Sequence, residues 1–252
     1  MNFMTALRKE WMEQGRTFRL LVVGVVLVVF GLLSPVIAKY TPEIIKLIPN
    51  GEAIAELIPT PTASDAVAQY IKNTSQFGVI LALLLTMGAI SQEKSRSTAA
   101  MMLVKPLPRG TFLAAKFVSR ALMFVAAIVL AGAACYYYTW LLFGPLDLPG
   151  WLGLNGLMIL YLMVYIALTL FCSVLTRSQV AAGGLALGLL FLFSLIGSIP
   201  GVGQYLPGQL IAWGGDLMAG GTEAFWPAVG ISVGMIAVSL LGAKLIFDRQ
   251  EL

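Results

Sequence analysis

Six long apolar stretches constrain this chain more than any other feature of its sequence. A helix needs roughly 20 mainly apolar residues to cross about 30 Å of hydrocarbon, and a spanning helix satisfies all its backbone hydrogen bonds internally. The stretches cover about 20–38, 76–91, 121–143, 151–175, 180–199 and 225–247. They predict an all-α integral membrane protein, with residues 1–252 forming a single transmembrane domain of six helices.

Basic residues are distributed unevenly between the two sides of this predicted bundle. With the N-terminus in the cytoplasm, 13 of the 16 Lys and Arg residues lie on the cytoplasmic side, and Lys39, Lys46 and Lys72 lie outside. Cytoplasmic loops of membrane proteins carry the excess of basic residues. The sequence therefore predicts a multi-pass plasma-membrane protein of bacterial type with both termini in the cytoplasm.

The composition argues against several classes of membrane protein. The chain has no histidine, the commonest general base and the usual axial ligand of haem. Its two cysteines, Cys135 and Cys172, lie in apolar runs, so we expect neither a disulfide nor a metal site. None of the six stretches has Asp, Glu or His in its central part, which disfavours transport driven by an ion gradient.

The chain also lacks the Gly-x-x-x-x-Gly-Lys-Ser/Thr loop that binds nucleotide phosphates. We therefore expect no catalytic site and no cofactor in this chain. We also expect no nucleic-acid partner. If the protein is powered by ATP, the nucleotide must be bound and hydrolysed by a partner chain.

The segment before the first span is amphipathic. Phe3, Leu7, Trp11 and Phe18 lie near one face of a helix predicted over about 3–18, and charged residues lie elsewhere on it. Such a helix is expected to lie in the inner membrane interface, in contact with lipid. It is interpreted either as an anchor that fixes the first span or as a contact surface for a cytoplasmic partner, and both can hold at once.

The loop between the second and third spans combines an apolar tip with a basic rim. Residues 99–104 can form a short helix, which Pro106 and Pro108 then end. The tip consists of Met101, Met102 and Leu103. Because apolar side chains at such a tip are costly to leave in water, the pattern indicates either a protein partner or contact with lipid headgroups.

This loop resembles the corresponding loop in permease subunits of ABC-2 type ATP-binding-cassette transporters. Those subunits share an acidic residue, a few polar residues, a small residue and Thr, then a helical stretch, Pro, Arg and a downstream Lys. The matching residues here are Glu93, Ser97, Thr98, Pro106, Arg109 and Lys116. The family often has Gly where this chain has Ser97. The amphipathic first segment and the six-span layout extend the resemblance over nearly the whole chain.

The resemblance implies a half-transporter membrane subunit that works as a pair, either homodimeric or heterodimeric, with two copies of a separate ATPase. ATP and Mg²⁺ would bind to that ATPase. Residues 93–103 would match the coupling helix that sits in a groove of the ATPase, and residues 3–18 would match the connecting helix beside it. The coupling residues would be Glu93, Arg96, Thr98, Met101, Met102 and Leu103.

A short apolar stretch at 209–218, between the fifth and sixth spans, is surrounded by glycines and prolines. It indicates a re-entrant or interfacial outer segment with Trp213 at headgroup depth. The alternative is an ordinary loop that dips into the headgroups. In the resembled family such a segment helps to form an outer gate, which would here include Pro207 and Trp213.

Within the spans, one polar residue and two glycine pairs are notable. Asn155 is the costliest of the polar residues to leave unpaired, so it should face another helix or a cavity, and it is our candidate for the substrate path. Gly184 with Gly188, and Gly230 with Gly234, have the spacing that lets helices approach closely. Packing within one subunit is the favoured use of these pairs, ahead of a dimer contact.

The leading hypothesis is the membrane subunit of an ATP-driven exporter, with its substrate path between two permease subunits. The sparse charge suggests an apolar or amphipathic cargo such as a peptide, a drug or a lipid-like molecule. The alternative is a non-transporting membrane scaffold that recruits a cytoplasmic protein through the same loop. A membrane enzyme ranks third, because the sequence contains no recognisable nucleophile–base pair or metal cluster.

The predicted orientation can be tested by cysteine labelling in intact cells. In a variant whose Cys135 and Cys172 are replaced by Ser, Glu52→Cys should react with a membrane-impermeant maleimide. Lys105→Cys should react only after the cells are permeabilised, because the basic residues divide 13 to 3 between the two sides. Labelling at position 105 but not at position 52 in intact cells would reject this topology.

Overall fold

The computed structural model describes residues 2–49, 52, 55, 59–95 and 108–250, and within these ranges it contains helices and no strand. In chain order, the helices are α1 (Phe3–Arg16), α2 (Arg19–Lys46), α3 (Ala63–Thr86), α4 (Ser91–Ser95), α5 (Arg109–Phe143), α6 (Leu148–Leu175), α7 (Gln179–Gly197), α8 (Gly208–Met218) and α9 (Trp226–Arg249). A short 3₁₀ helix, Gly203–Tyr205, precedes α8.

Six spanning segments in the described part of the chain are long and apolar enough to cross a membrane. They are α2, α3 together with α4, α5, α6, α7 and α9. The prediction of an all-α protein with six spans is therefore confirmed. Several of the helices are longer than the apolar stretches from which they were predicted, because polar turns at their ends remain helical.

Polar side chains cap the start of three of these helices. Before α3, Thr62 and Asp65 form a capping box, in which the backbone N–H of Thr62 donates to Asp65 Oδ2 at 2.8 Å. Asp147 accepts from the backbone N–H of Gly150 at 2.7 Å at the start of α6, and Ser178 caps α7 in the same way. These bonds satisfy amide donors that have no partner within their own helix.

The junction between α1 and α2 corrects one predicted boundary. The helix predicted over 3–18 ends at Arg16, and α2 begins at Arg19. Phe18 lies in the turn between them with a φ of 57°, a left-handed conformation that residues other than glycine rarely adopt. The predicted first helix is therefore interrupted before its expected end at residue 18.

The bundle is organised around α6. In the most apolar window of α6, 67% of the residues are buried inside the chain, against 17% in α7 and 17% in α9. Helix α6 packs against α3, α5, α7, α8 and α9, while α2 packs along α5 and α3. The main core is built from α2, α3, α5 and α6, and it contains Leu27, Tyr70, Phe124, Trp151 and Leu162.

Asn155 lies in this core and faces another helix. Its Oδ1 accepts a hydrogen bond from the Tyr70 hydroxyl at 2.7 Å, and its Nδ2 donates to the Trp151 carbonyl at 2.8 Å. A Cβ added to Gly132 on α5 would lie 2.6 Å from Asn155 Oδ1. The amide is thus satisfied by α3 and by its own helix, and it is packed closely against α5.

Helices α2 and α5 approach each other closely at Gly31. A Cβ at this position would lie 2.5 Å from the backbone oxygen of Ala131, and backbone has little freedom to move aside.

We expect Gly31→Ala to destabilise the protein by about 1–3 kcal/mol through overpacking, measured as a lower midpoint of thermal unfolding in detergent. Gly24→Ala is the control, because it lies on the same helix and its Cβ would meet nothing within 4 Å. Equal unfolding temperatures of the two variants would contradict the close approach of α2 to α5 at Gly31.

Candidate functional site

A buried ammonium group joins three segments at one end of the bundle. The Nζ of Lys116, on α5, lies 2.8 Å from Glu93 Oε1 on α4 and 3.0 Å from Glu10 Oε1 on α1. Lys116 is only 1% exposed. A charge removed from water in this way must be balanced by close partners of opposite sign, so the three segments are held together by their shared ion pairs.

Further charges surround this centre at longer distances. Arg120 Nη1 lies 3.7 Å from Glu10 Oε2. Lys9 Nζ lies 3.7 Å from Glu10, 3.8 Å from Glu13 and 4.0 Å from Glu93, and Arg19 Nη1 lies 3.7 Å from Glu13. We call these seven residues the charge cluster. It consists of Lys9, Glu10, Glu13, Arg19, Glu93, Lys116 and Arg120.

Glu10 is ionised at neutral pH despite its burial. Burial alone would raise its pKa, but the nearby charges of Lys116, Arg120 and Lys9, with the hydrogen bond from Lys116, outweigh that effect and leave the pKa below its ordinary value. The carboxylate therefore contributes a full negative charge to the cluster. Its stabilising contribution is present at neutral pH and is lost as the pH falls through this lowered pKa.

Helix α1 docks on α5 through its polar face. Ala6, Glu10 and Gln14, spaced four residues apart, are buried, and Gln14 Nε2 donates to Ser119 Oγ on α5 at 2.6 Å. Two residues of the predicted apolar face are only partly covered by the bundle, since Phe3 is 39% exposed and Trp11 is 41% exposed. This arrangement is compatible with a helix at the membrane interface, which remains a prediction.

Leu7 and Phe18, the other two members of that predicted face, have different surroundings. Leu7 is half-buried within α1. Phe18 lies outside α1, in the turn before α2, and is exposed.

The two ends of the loop predicted to carry the coupling helix are both anchored. On the first end, Lys94 Nζ donates to the Val174 carbonyl at the end of α6. On the second end, Arg109 Nη1 donates to the carbonyls of Phe247 and Gln250, at the end of α9. Both cations lie near the buried Phe247 ring, whose centroid is 5.8 Å from Lys94 Nζ and 5.6 Å from Arg109 Cζ.

The turn between α3 and α4 is held by α6 as well. Ser173 Oγ accepts hydrogen bonds from the backbone N–H groups of Ile90 and Ser91, both at 3.0 Å. Gln92 Nε2 donates to Gln179 Oε1 at the start of α7. The segment that leads into the loop thus contacts α5, α6 and α7 within a few residues.

Of the predicted coupling residues, Glu93 is the one whose position is described. Five others lie outside the described residues, and their role stays a prediction. These are Arg96, Thr98, Met101, Met102 and Leu103.

The segment predicted as an outer gate contains α8, which packs on α6. A Cβ at Gly214 would lie 3.3 Å from Leu154 Cα, and Trp213 is buried with its ring centroid 5.6 Å from that of Trp226. Pro207 immediately precedes α8. The stretch is therefore helical rather than an ordinary loop, and its function as a gate remains a prediction.

Two cavities lie along the sparsely packed helix α7. A pocket of about 610 Å³, which we call the outer pocket after its predicted side of the membrane, is lined by Pro207 and by polar groups that include Tyr165 and Ser194. An apolar cleft of about 480 Å³ lies between α3 and α7. Tyr161 and Leu190 line both cavities, so the two adjoin. Neither Asn155 nor Trp213 lines either of them.

Three carboxylates of the charge cluster lie close enough to raise the question of a metal ion. One oxygen from each of Glu10, Glu13 and Glu93 lies within 4.8 Å of the other two. The cations Lys9 and Lys116 already lie against these carboxylates. Because these carboxylates are already balanced by cations, we assign no metal ion to them. The expectation that the chain has no metal site remains a prediction.

Comparison with known proteins identifies the family. A family model described as ABC-2 family transporter protein matches residues 4–252. The chain belongs to this family. The resemblance inferred from the loop sequence is therefore confirmed, and the protein is a multi-pass membrane component of an ABC transporter. Such ABC-2 components have no ATPase domain of their own.

This ABC-2 subunit has a curated relative of similar length. The chain is 22% identical to the Uncharacterized transmembrane protein YxlG of Bacillus subtilis (strain 168), over 98% of each chain. The two proteins therefore correspond over essentially their whole lengths. The name of that relative describes its location and no activity.

Several residues of this ABC-2 subunit that form the site were not singled out by the sequence. Glu10 and Gln14 were not identified as inward-facing, although the four-residue spacing from Ala6 places them on one side of α1, beside the predicted apolar face. The contact of Phe247 with Arg109 could not be predicted, because Phe247 lies in the last apolar stretch, 138 residues from Arg109 along the chain. Lys116 was identified through the family motif, without its pairing.

The ion pair at the centre of the charge cluster can be tested by a double-mutant cycle. Lys116→Gln leaves buried carboxylates without their closest cation and should destabilise the protein by about 3–5 kcal/mol. Glu93→Gln should cost less in the Lys116→Gln background than in the wild type, with a coupling of about 0.5–3 kcal/mol. The measurement is thermal unfolding in detergent.

The control for this cycle is Lys46→Gln, because Lys46 is exposed at the end of α2 and should be neutral. Equal cost of Glu93→Gln in both backgrounds would contradict the pairing of Lys116 with Glu93.

Proposed function

We propose that this ABC-2 subunit is the membrane half of an ATP-driven exporter and is coupled to separate ATPase subunits. The observation that carries the proposal is the buried Lys116. It pairs with Glu93, at the stem of the predicted coupling loop, with Glu10 on α1, and it belongs to the spanning helix α5. A displacement of the loop stem cannot leave α5 unaffected without separating a buried ion pair.

The anchoring of both loop ends supports the same mechanism. In our proposal, residues 93–103 sit in a groove of the ATPase, which binds ATP with Mg²⁺ and changes shape during its cycle. Movement of the first stem would pass to α6 through Lys94, and movement of the second stem would pass to α9 through Arg109. Breaking such buried polar contacts is costly, so the helices are expected to follow the loop.

Helix α1 is proposed to act as the connecting helix beside the loop. It carries Lys9, Glu10 and Glu13 of the charge cluster, and Lys9 lies 4.0 Å from Glu93. An ATPase surface that contacts α1 and the loop together would therefore act on one electrostatic unit. In this proposal, α1 lies in the cytoplasmic leaflet of a bacterial plasma membrane.

Pairing with a second permease subunit is supported by the open faces of α7 and α9. We favoured packing within the subunit for the two glycine pairs, and that expectation was wrong. A Cβ at Gly184, Gly188, Gly230 or Gly234 meets no atom of the described chain within 4 Å. Glycines that let helices approach closely are thus free for contact with another chain.

The proposed path for cargo follows α7. The apolar cleft and the outer pocket adjoin at Tyr161 and Leu190, which gives one face with an apolar inner part and a more polar outer part. A second subunit opposite this face would close it into a path suited to an apolar or amphipathic cargo. Pro207 lies at the outer end of that path, where a gate is proposed. Asn155 is hydrogen-bonded within the core, so its predicted contact with cargo has no support from its position.

Association with an ATPase tests the proposal directly. The tagged wild-type chain should retain an ATP-binding-cassette ATPase when it is purified from its native membranes in mild detergent. Met102→Asp combined with Leu103→Asp should abolish that retention, because two carboxylates would be desolvated at the contact, at a cost of about 3–5 kcal/mol if they remain unpaired.

A matched control is available at the other predicted side of the membrane. Leu47 and Ile48 are adjacent and are 85% and 57% exposed, so Leu47→Asp with Ile48→Asp should leave ATPase recovery unchanged. Equal recovery with the loop variant would contradict the coupling helix. Absence of an ATPase from the wild-type preparation would favour the non-transporting scaffold instead.

A further inference from the structure

A charged cavity of about 330 Å³ lies beside the buried ion pair. It is bounded by α1, the first turn of α2, the turn between α3 and α4, and α5. Its charged lining residues are Lys9, Glu13, Arg19, Glu93, Lys116 and Arg120. The coupling proposal gives this cavity no role.

Arg120 lines the cavity with much of its hydrogen-bonding capacity unused. Its side chain is 4% exposed, and its Nη1 donates to the Lys116 carbonyl at 2.9 Å. The nearest carboxylate oxygen, on Glu10, lies 3.7 Å away, beyond hydrogen-bond distance. Within the described ranges, the guanidinium makes no other hydrogen bond, although it has five N–H donors. In the described part of the structure, none of its nitrogens is both fully buried and without a partner, so water or an anionic acceptor can reach the unused donors.

Among the described residues, the cluster contains four cations, Lys9, Arg19, Lys116 and Arg120, and three carboxylates, Glu10, Glu13 and Glu93. Positive charges therefore outnumber negative ones in the described part of the cluster, which favours an anionic ligand. For Arg19, as for Arg120, the closest carboxylate oxygen lies 3.7 Å away, which is too far for a hydrogen bond. Both guanidinium groups therefore have donors available for a new anion. Guanidinium groups bind phosphate oxygens with particularly good geometry.

The rim of the cavity lies where a lipid headgroup would be. Arg19 is the first residue of the spanning helix α2, and its neighbours Phe18 and Leu21 are 66% and 56% exposed. Exposed apolar side chains at the start of a spanning helix face hydrocarbon, whereas the charges of the cluster require the polar region. The cavity therefore lies at the boundary between the two, where basic pockets between helices bind anionic lipid headgroups.

From these observations we propose that the charged cavity binds the phosphate of an anionic phospholipid, with Arg19 and Arg120 as its direct ligands. The lipid would fix α1 and the first turn of α2 against α5. This site requires neither transport nor an ATPase, so its test is independent of the exporter proposal.

The test measures thermal unfolding of the purified full-length chain in neutral detergent, with phosphatidylglycerol, phosphatidylcholine or inorganic phosphate added. Phosphatidylglycerol should raise the unfolding temperature in a saturable manner, and the other two additives should have much smaller effects. Arg19→Gln should raise the phosphatidylglycerol concentration that gives half the effect by about tenfold, as expected for the loss of one charge-assisted contact. Arg120→Lys should have a similar effect, because a lysine cannot reproduce the planar fork of donors.

The matched control is Arg16→Gln, which removes an equal charge from the exposed surface of α1 and should leave the lipid response unchanged. Because Arg19 is 30% exposed, its variant remains informative if Arg120→Lys does not fold. An unchanged phosphatidylglycerol response in Arg19→Gln would overturn the proposal, as would equal stabilisation by phosphatidylcholine. Equal stabilisation by inorganic phosphate would overturn the assignment to a lipid.

Discussion

The buried ammonium group of Lys116 determines how the predicted inner end of this bundle is assembled. Its two closest carboxylates come from α1 and from α4, and both are separate in sequence from α5. The charge is therefore balanced only when all three segments are in place. Because desolvation offsets much of the attraction within such a pair, its main consequence is to specify one arrangement, rather than to add a large amount of stability.

Helix α1 illustrates how a membrane changes the usual rule for burying side chains. In water, the apolar face would be expected to pack on the protein. Lipid is as apolar as a leucine side chain, so apolar contact gives little preference for protein over lipid. Polar contacts then help to decide the orientation, and Glu10 and Gln14 are buried while Phe3 and Trp11 remain more than a third exposed. The same polar face places α1 in the charge cluster.

The sequence predicted the six spans well because the thickness of hydrocarbon sets the length of an apolar stretch regardless of how the helices pack. The ends of the helices were less predictable, because they depend on local caps such as Thr62 with Asp65. The residues of the candidate site could be predicted from the sequence only in part. The family motif selected Glu93 and Lys116 but could not pair Lys116 with Glu10, and periodicity alone could not place Phe247 near Lys94 and Arg109. The spacing of the glycine pairs could not show which chain they contact.

The sparse packing of α7 and α9 has different meanings for the two helices. Apolar side chains exposed to lipid carry no desolvation cost, and α9 exposes several of them, including Val233, Val238 and Leu241. Helix α7 differs because it adjoins the outer pocket, where Ser194 and Tyr165 contribute polar groups beside an apolar cleft. Polar groups at the edge of a bundle require water, protein or a polar part of a cargo as partner. Of the two open helices, α7 is thus the better candidate for the proposed contact with a second subunit and with cargo.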